Sequence, residues 1–492
     1  MVSRCLRFSL LLAVCCTGAG FGQPPVTALN PTIKQIVDAV SEDRIGATMK
    51  KLESFGTRYI LSEQDSPTHG IGAAQRWILD EFKSYSPRLQ VRLDPFTAKK
   101  GQRVAHDVDL ANVVAVLPGK VDPDRYVVIS SHYDSIAARR GPGTPRTDDE
   151  GPRGAQEIEP IAPGVSDNAS AVAAVLELAR VMSQYEFDKS VVFIAFSAEE
   201  VGLLGSQAYA AKAKQEKMEI EAVLNNDIIG TDVAGNGRSA NNHVRLFSEG
   251  PEDSPSRALA RYTKEIAERY FPSMIVDLIF RRDRFGRGGD HTSFNREGFA
   301  AVRLTTPSEN YANQHSATDT FANASVPYAT RVAKMNAAVL ASLALAPKPP
   351  VVSRQRAMRP AGSTPAGMSQ AAGSKTSGVA GRPLGPGLSR GKSGYDAALR
   401  WEMPKPEPDI AGYAIVIRAT TAPLWEREIY VGNVTEYTIP DLSIDDVVIG
   451  VKAVDKDGNQ SLVSAYDLPP TIPARQDGAA PASRAVTGGG GQ

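Results

Sequence analysis

Six short segments of this chain carry residue types that bind metal ions or move protons. In Tyr126-Val-Val-Ile-Ser-Ser-His132-Tyr-Asp134 an apolar run ends on a histidine, with a carboxylate two residues on. A ligating histidine commonly gives its other ring proton to a carboxylate, and Asp134 can be that partner. Gly164-Val165-Ser166-Asp167-Asn168-Ala169-Ser170 opens a helical pattern, so Asp167 either caps that helix or serves a site. Glu199 and Glu200 follow the apolar run Ile194-Ala-Phe-Ser-Ala. Two adjacent carboxylates there are costly unless a cation is present. One can bind metal while the other faces a water molecule. The plain alternative is an acidic helix N-terminus. Asp227 stands after Asn225-Asn226, Asp290-His291 after Gly288-Gly289, and His315 in the run from Asn310 and Tyr311 to Asp319 and Thr320.

Each segment alone has a structural explanation. Together they place two histidines and three or four carboxylates at separate strand ends. Hard oxygen donors with imidazole suit zinc. A pair of metals about 3.5–4 Å apart needs a bridging carboxylate and further ligands on each side, and the residues suffice for that.

The elements that must position them read as α/β. Strand-like runs recur at Tyr126–Ser130, Ser190–Phe196, Ala222–Ile229, Val244–Phe247 and Ala300–Thr305, with helical patterns at Ala169–Tyr185 and Ser256–Tyr270. Continuous apolar strands between helices predict a mixed, mostly parallel sheet sandwiched by helices. Open sheets of this kind place their sites beyond the carboxyl ends of the strands. This domain spans about residues 30–346. Residues 347–393 are rich in Pro, Gly, Ser and Ala and read as a flexible linker. Residues 394–469 carry short alternating strands and predict a small β-sandwich. Residues 470–492 read as a disordered tail. A run of 32 residues between Asp134 and Asp167 is long for a βα connection. It either walls the site's entrance or is a surface insertion.

The chain has 492 residues, 42% hydrophobic and 22% charged, with a formal net charge of zero. That composition fits a soluble globular protein and gives no reason to expect nucleic acid or an anionic membrane surface as partner. Arg4 and Arg7, the apolar run Phe8–Cys16 and small residues up to Gly22 have the order of a cleaved signal peptide over residues 1–22. The apolar run is too short to span a bilayer. Export to a periplasmic or extracellular location is therefore expected, without an integral membrane segment after cleavage. Leu12-Ala13-Val14 before Cys15 and Cys16 is a poor lipidation signal. All three cysteines, Cys5, Cys15 and Cys16, fall in that segment, so cleavage leaves no thiol to bind metal or attack substrate.

Over about Leu110 to Thr320 the six segments resemble, in order, those of the co-catalytic zinc exopeptidases that include bacterial leucyl aminopeptidase and glutamate carboxypeptidase. The resemblance implies two Zn2+ ions. His132 and Asp227 would hold one, Glu200 and His315 the other, and Asp167 would bridge them. Asp134 would orient His132, and Glu199 would be the general base. Asp290 and His291 match a supporting Asp-His pair. The family's bridging Asp often precedes a cis peptide, which points to Asp167–Asn168. Trp401, Gly412-Tyr413 and Val451-Lys452-Ala453-Val454-Asp455 resemble a fibronectin type III module, which offers a surface for envelope or protein contact or acts as a spacer.

The segments Arg287-Gly-Gly-Asp-His and Glu309-Asn-Tyr-Ala-Asn-Gln-His depart from those of the best-known aminopeptidases. Asn310 and Tyr311 either contact substrate or shape the turn. Arg281, Arg282, Arg284 and Arg287 either bind a substrate carboxylate or form a solvated loop. The leading expectation is an aminopeptidase acting on peptides. A carboxypeptidase or dipeptidase of the same fold, a single-zinc glutaminyl cyclase and a non-catalytic binding protein are the alternatives.

Overall fold

The computed structural model describes residues 29–137, 161–283, 287–352 and 385–466. The expected signal peptide and C-terminal tail, most of the 135–166 run and the middle of the expected linker lie outside the described residues.

The N-terminal part is built on an eight-stranded sheet. Its strands are β1 (Gln90–Ala98), β2 (Val108–Leu117), β3 (Asp122–His132), β4 (Lys189–Phe196), β5 (Glu219–Asn226), β6 (His243–Ser248), β7 (Ile275–Ile279) and β8 (Ala301–Thr305), in the order β1-β2-β4-β3-β5-β8-β6-β7. The central strands β4, β3, β5 and β8 run parallel, whereas β1, β2 and β6 make the antiparallel pairings. Parallel strands covered on both faces must be apolar on both sides, which explains the unbroken runs in β3 and β4. Alternate residues divide between two cores. Val127, Ile129, Val191 and Phe193 face one, and Val128, Val192, Ile194 and Phe196 face the other.

The first core packs against α1 (Pro31–Asp38), α2 (Glu42–Glu53), α3 (Gly70–Tyr85), α4 (Ser170–Met182), α6 (Pro255–Tyr270) and α8 (Val326–Leu345). The second packs against α5 (Leu204–Gln215) and α7 (His291–Arg296). Helix starts follow local chemistry. Asn30 and Ser254 cap α1 and α6 with side-chain oxygens, and each helix has proline in its first turn. Strand β5 stops at Asn226 rather than Ile229, because Ile228 turns into a left-handed conformation at φ 61°. Asp227 therefore sits just past a strand end.

A small β-sandwich follows. Strands β9 (Gly387–Ser389), β10 (Ala397–Arg400) and β13 (Glu436–Ile439) form one sheet. Strands β11 (Ile410–Ala419), β12 (Arg427–Gly432), β14 (Val447–Asp455) and β15 (Ser464–Ala465) form the other. Trp401 is buried between them and meets the Tyr413 ring at 5.5 Å. The two ends of the expected linker carry backbone pairing. Val351 pairs with Glu402, and β9 pairs with β10, because backbone pairing imposes order that side-chain composition does not signal. The sandwich also touches the first domain: Arg125 reaches Glu407 at 3.1 Å and Arg418 reaches Asp253 at 2.7 Å. No helix among the described residues is long and apolar enough to cross a membrane.

Candidate metal centre

The residues expected to meet do so at the carboxyl ends of the central strands. His132 is the last residue of β3, and its Nε2 stands 3.3 Å from Asp167 Oδ1 and 3.5 Å from Asp227 Oδ1. His315 Nε2 stands 3.0 Å from Asp167 Oδ2 and 3.0 Å from Glu200 Oε2. Asp167 thus gives one carboxylate oxygen to each imidazole. Glu199 Oε2 lies farther off, 4.0 Å from His132 Nε2.

This donor set fits divalent cations. Ligands held about 2.0–2.2 Å from a tetrahedral zinc lie roughly 3.3–3.6 Å from one another, near the separations found here. His132 Nε2 and Glu200 Oε1 are buried without a hydrogen-bond partner. Buried polar atoms are normally satisfied, so these two point to a ligand. Electrostatics agree. Burial drives the Glu199 carboxyl well above its usual range, with Asp227, Glu200 and Asp290 adding to the shift against His132. Glu200 is raised too, by burial first and against His315. Such crowding of carboxylates is relieved by positive charge.

Asp134 reaches two neighbours of the site. His132 Nδ1 meets the backbone carbonyl of Asp134 at 3.2 Å, while the Asp134 carboxylate is 3.6 Å away. That carboxylate also accepts the backbone N–H groups of Glu199 and Glu200, at 3.1 Å each. Asp134 therefore contacts both His132 and the backbone of the Glu pair. The Asp167–Asn168 peptide is cis. Asn168 donates to the Asn226 carbonyl and accepts from Ile228 N–H, which ties the Asp167 segment to the end of β5.

Asp319 and Arg58 complete the supports. The Asp319 carboxylate accepts N–H from Ser166 and Asp167 at 2.8 and 2.9 Å. Burial pushes its pKa up to about 7. Arg58 is buried and donates to the carbonyls of Tyr133, Pro163 and Gly164 at 2.6–2.8 Å. The only signal in the sequence for Arg58 is a charge set among Phe55, Tyr59 and Ile60. Backbone strain collects here as well. Ala198, Ile228 and His315 adopt φ of 59°, 61° and 51°, a region costly for side chains and one that marks functional sites.

Asp290 and His291 open α7 behind Asp227, both buried, and neither is in contact with the cavity described below. Burial raises Asp290 to about 7 and lowers His291 to about 3. Asn310 serves the turn: its Oδ1 accepts Ala312 N–H and its carbonyl accepts from Asn313 and Gln314. Asn310 thus shapes the turn, and neither it nor Tyr311 is among the described residues that line the cavity. A cavity of about 550 Å³ opens onto Asp167, Glu199, Glu200, Asp227 and His315.

A model of Peptidase family M28 matches residues 112–340. A "Probable zinc metalloprotease" of Pyrenophora tritici-repentis is 32% identical over 464 residues, covering 87% of this chain and 96% of that protein. The chain belongs to peptidase family M28. A second "Probable zinc metalloprotease", from Pyricularia oryzae, is 34% identical over 493 residues, covering 92% of this chain and 88% of that one. The crystal structure of LapB from Legionella pneumophila aligns at 20% identity and a TM-score of 0.49, over 65% of this chain and 77% of that chain. The M28 match runs from Asn112 in β2 to Leu340 in α8, so every candidate ligand lies inside it.

Proposed function

We propose that this M28 chain is a zinc-dependent exopeptidase that removes N-terminal residues from peptides, with Glu199 as general base. One observation carries the reading: Asp167 lies between two imidazoles, each of which has a further carboxylate of its own. His132, Asp227, Asp167, Glu200 and His315 would hold two Zn2+ ions. The relatives' names support zinc. Bound there, zinc supplies Lewis acidity that acidifies water and polarises a scissile carbonyl.

The chain's own residues do the rest. Glu199 faces the cavity and keeps a partly accessible carboxylate. It takes a proton from the attacking water and returns it to the departing amine. Asp134 fixes Glu199 and Glu200 through their backbone N–H groups, so the base and its neighbouring ligand are aligned together. The segment over residues 1–22 suits export, and the sandwich, with its fibronectin type III-like pattern, suits a spacer or contact module.

The test is Glu199→Gln, assayed on aminoacyl chromogenic substrates with metal analysis. The variant is expected to keep two zinc ions per chain and to lose at least about 10²–10⁴-fold in kcat. Full turnover would remove Glu199 from the base role. One zinc per chain would favour the glutaminyl cyclase alternative.

A further inference from the structure

Five arginines line the cavity: Arg103, Arg282, Arg287, Arg296 and Arg303. Two are tied into the fold. Arg303 holds Asp227 and Asp283 at 3.0 Å each, and Arg287 holds Glu309 at 2.8 Å. The other three converge from separate places. Arg103 comes from the turn between β1 and β2, Arg282 follows β7, and Arg296 ends α7. Arg282 is fixed through Nε to Glu249 at 2.8 Å, yet its side chain is 77% exposed and its Nη atoms have no ion pair or hydrogen bond among the described residues. Arg103 and Arg296 are exposed and have no ion pair or side-chain hydrogen bond among the described residues.

The charge balance says what such a wall would meet. Six carboxylates line the cavity against these five guanidinium groups, an excess of one negative charge. Two divalent cations would turn that into an excess of three positive charges. A guanidinium fork matches a carboxylate with two parallel hydrogen bonds. A volume of about 550 Å³ lies within the roughly 300–1,000 Å³ of small-ligand clefts, so a peptide of a few residues fits.

We propose that Arg103, Arg282 and Arg296 form a carboxylate-binding wall, and that the preferred substrates are short peptides carrying a carboxylate within reach of the scissile bond. The inference rests on the peptidase reading above. The carboxylate belongs either to the free C-terminus of a di- or tripeptide or to an Asp or Glu side chain.

The experiment compares one short peptide as free acid and as C-terminal amide, and with Asp exchanged for Asn. It uses the zinc-loaded wild type and the Arg103→Gln/Arg296→Gln double variant. Calorimetric binding of the same peptides to Glu199→Gln runs in parallel. The carboxylate form is expected to be favoured on the order of tenfold in kcat/KM, through KM, with that ratio collapsing in the double variant. Preference for acid over amide assigns the C-terminus, and preference for Asp over Asn assigns the side chain. Equal handling of all forms, or a preference that survives the double substitution, overturns the wall. Carboxylate-selective binding to Glu199→Gln without turnover of any peptide by the wild type would overturn the hydrolytic reading and leave the wall standing.

Discussion

His132 and His291 are both buried, yet their surroundings drive their protonation in opposite directions. For His132 burial disfavours charge, but Glu199, Asp134, Asp167 and Asp227 overcome it and hold the imidazole well above its ordinary value. That negative surrounding is what a cation would answer. For His291 burial lowers the pKa and Arg303 adds to it, reaching about 3. The consequence is a pH-dependent stability. An unfolded histidine takes a proton near pH 6.5, whereas folded His291 refuses one until about pH 3. Its depressed folded pKa means stability is present above about pH 6.5 and is lost as pH falls toward 3. Wild type should therefore lose ground to His291→Asn by roughly 1.4 kcal/mol per pH unit below about pH 6. Asp290, raised to about 7, has the reverse slope but is common to both proteins. Urea denaturation across the pH range measures this, and a gap constant from about pH 7 to 4 would remove His291 as the titrating group.

At the scale of the element, the turn from β4 into α5 decides where Glu199 and Glu200 point. Ala198 and Leu203 both take left-handed φ, and Gly205, in the first turn of α5, lies against Asn112. A Cβ at Gly205 would fall 2.3 Å from Asn112 Oδ1 and from the Ser197 carbonyl. Asn112 meanwhile accepts Ser197 N–H and donates to the Gly205 carbonyl, so neither neighbour can give way. Gly205→Ala should cost about 1–3 kcal/mol of stability and weaken zinc binding by displacing the Glu pair. A denaturant midpoint and chelator competition equal to wild type would contradict this. Short-range signals of this kind were readable in advance. The apolar runs of β3 and β4 and the acids at their ends follow from local sequence. Other elements were not readable. β1 is a mostly exposed edge strand containing Pro95, and α8 is buried around most of its circumference, so its periodicity is blurred. Arg58 and Asp319 escape for a different reason. Arg58 meets Tyr133 and Gly164, 75 and 106 residues on, and Asp319 meets Asp167, 152 residues back, and only the fold brings them together.

At the scale of the molecule, the sandwich is fastened to the peptidase fold by buried charge. Arg418 is 1% exposed and grips both oxygens of Asp253, at 2.8 and 2.7 Å. Arg261 of α6 shares Asp253 at 3.1 Å and donates to the Pro423 carbonyl across the junction. Trp425 of the sandwich lies against both guanidinium groups, at 5.5 and 6.0 Å. A buried pair of this kind adds little over an apolar contact, but removing one partner strands the other without water. Arg418→Ala leaves Asp253 with Arg261 alone, so the loss should fall toward the lower end of about 3–5 kcal/mol. Asp253→Asn added to Arg418→Ala removes the stranded charge and should recover part of that loss, a coupling that a double-mutant cycle isolates. Calorimetric unfolding of the four proteins tests the argument. Additive effects, or an Arg418→Ala variant as stable as wild type, would mean that the sandwich is held by its other contacts, at Glu407 and Asn459, and not by this one.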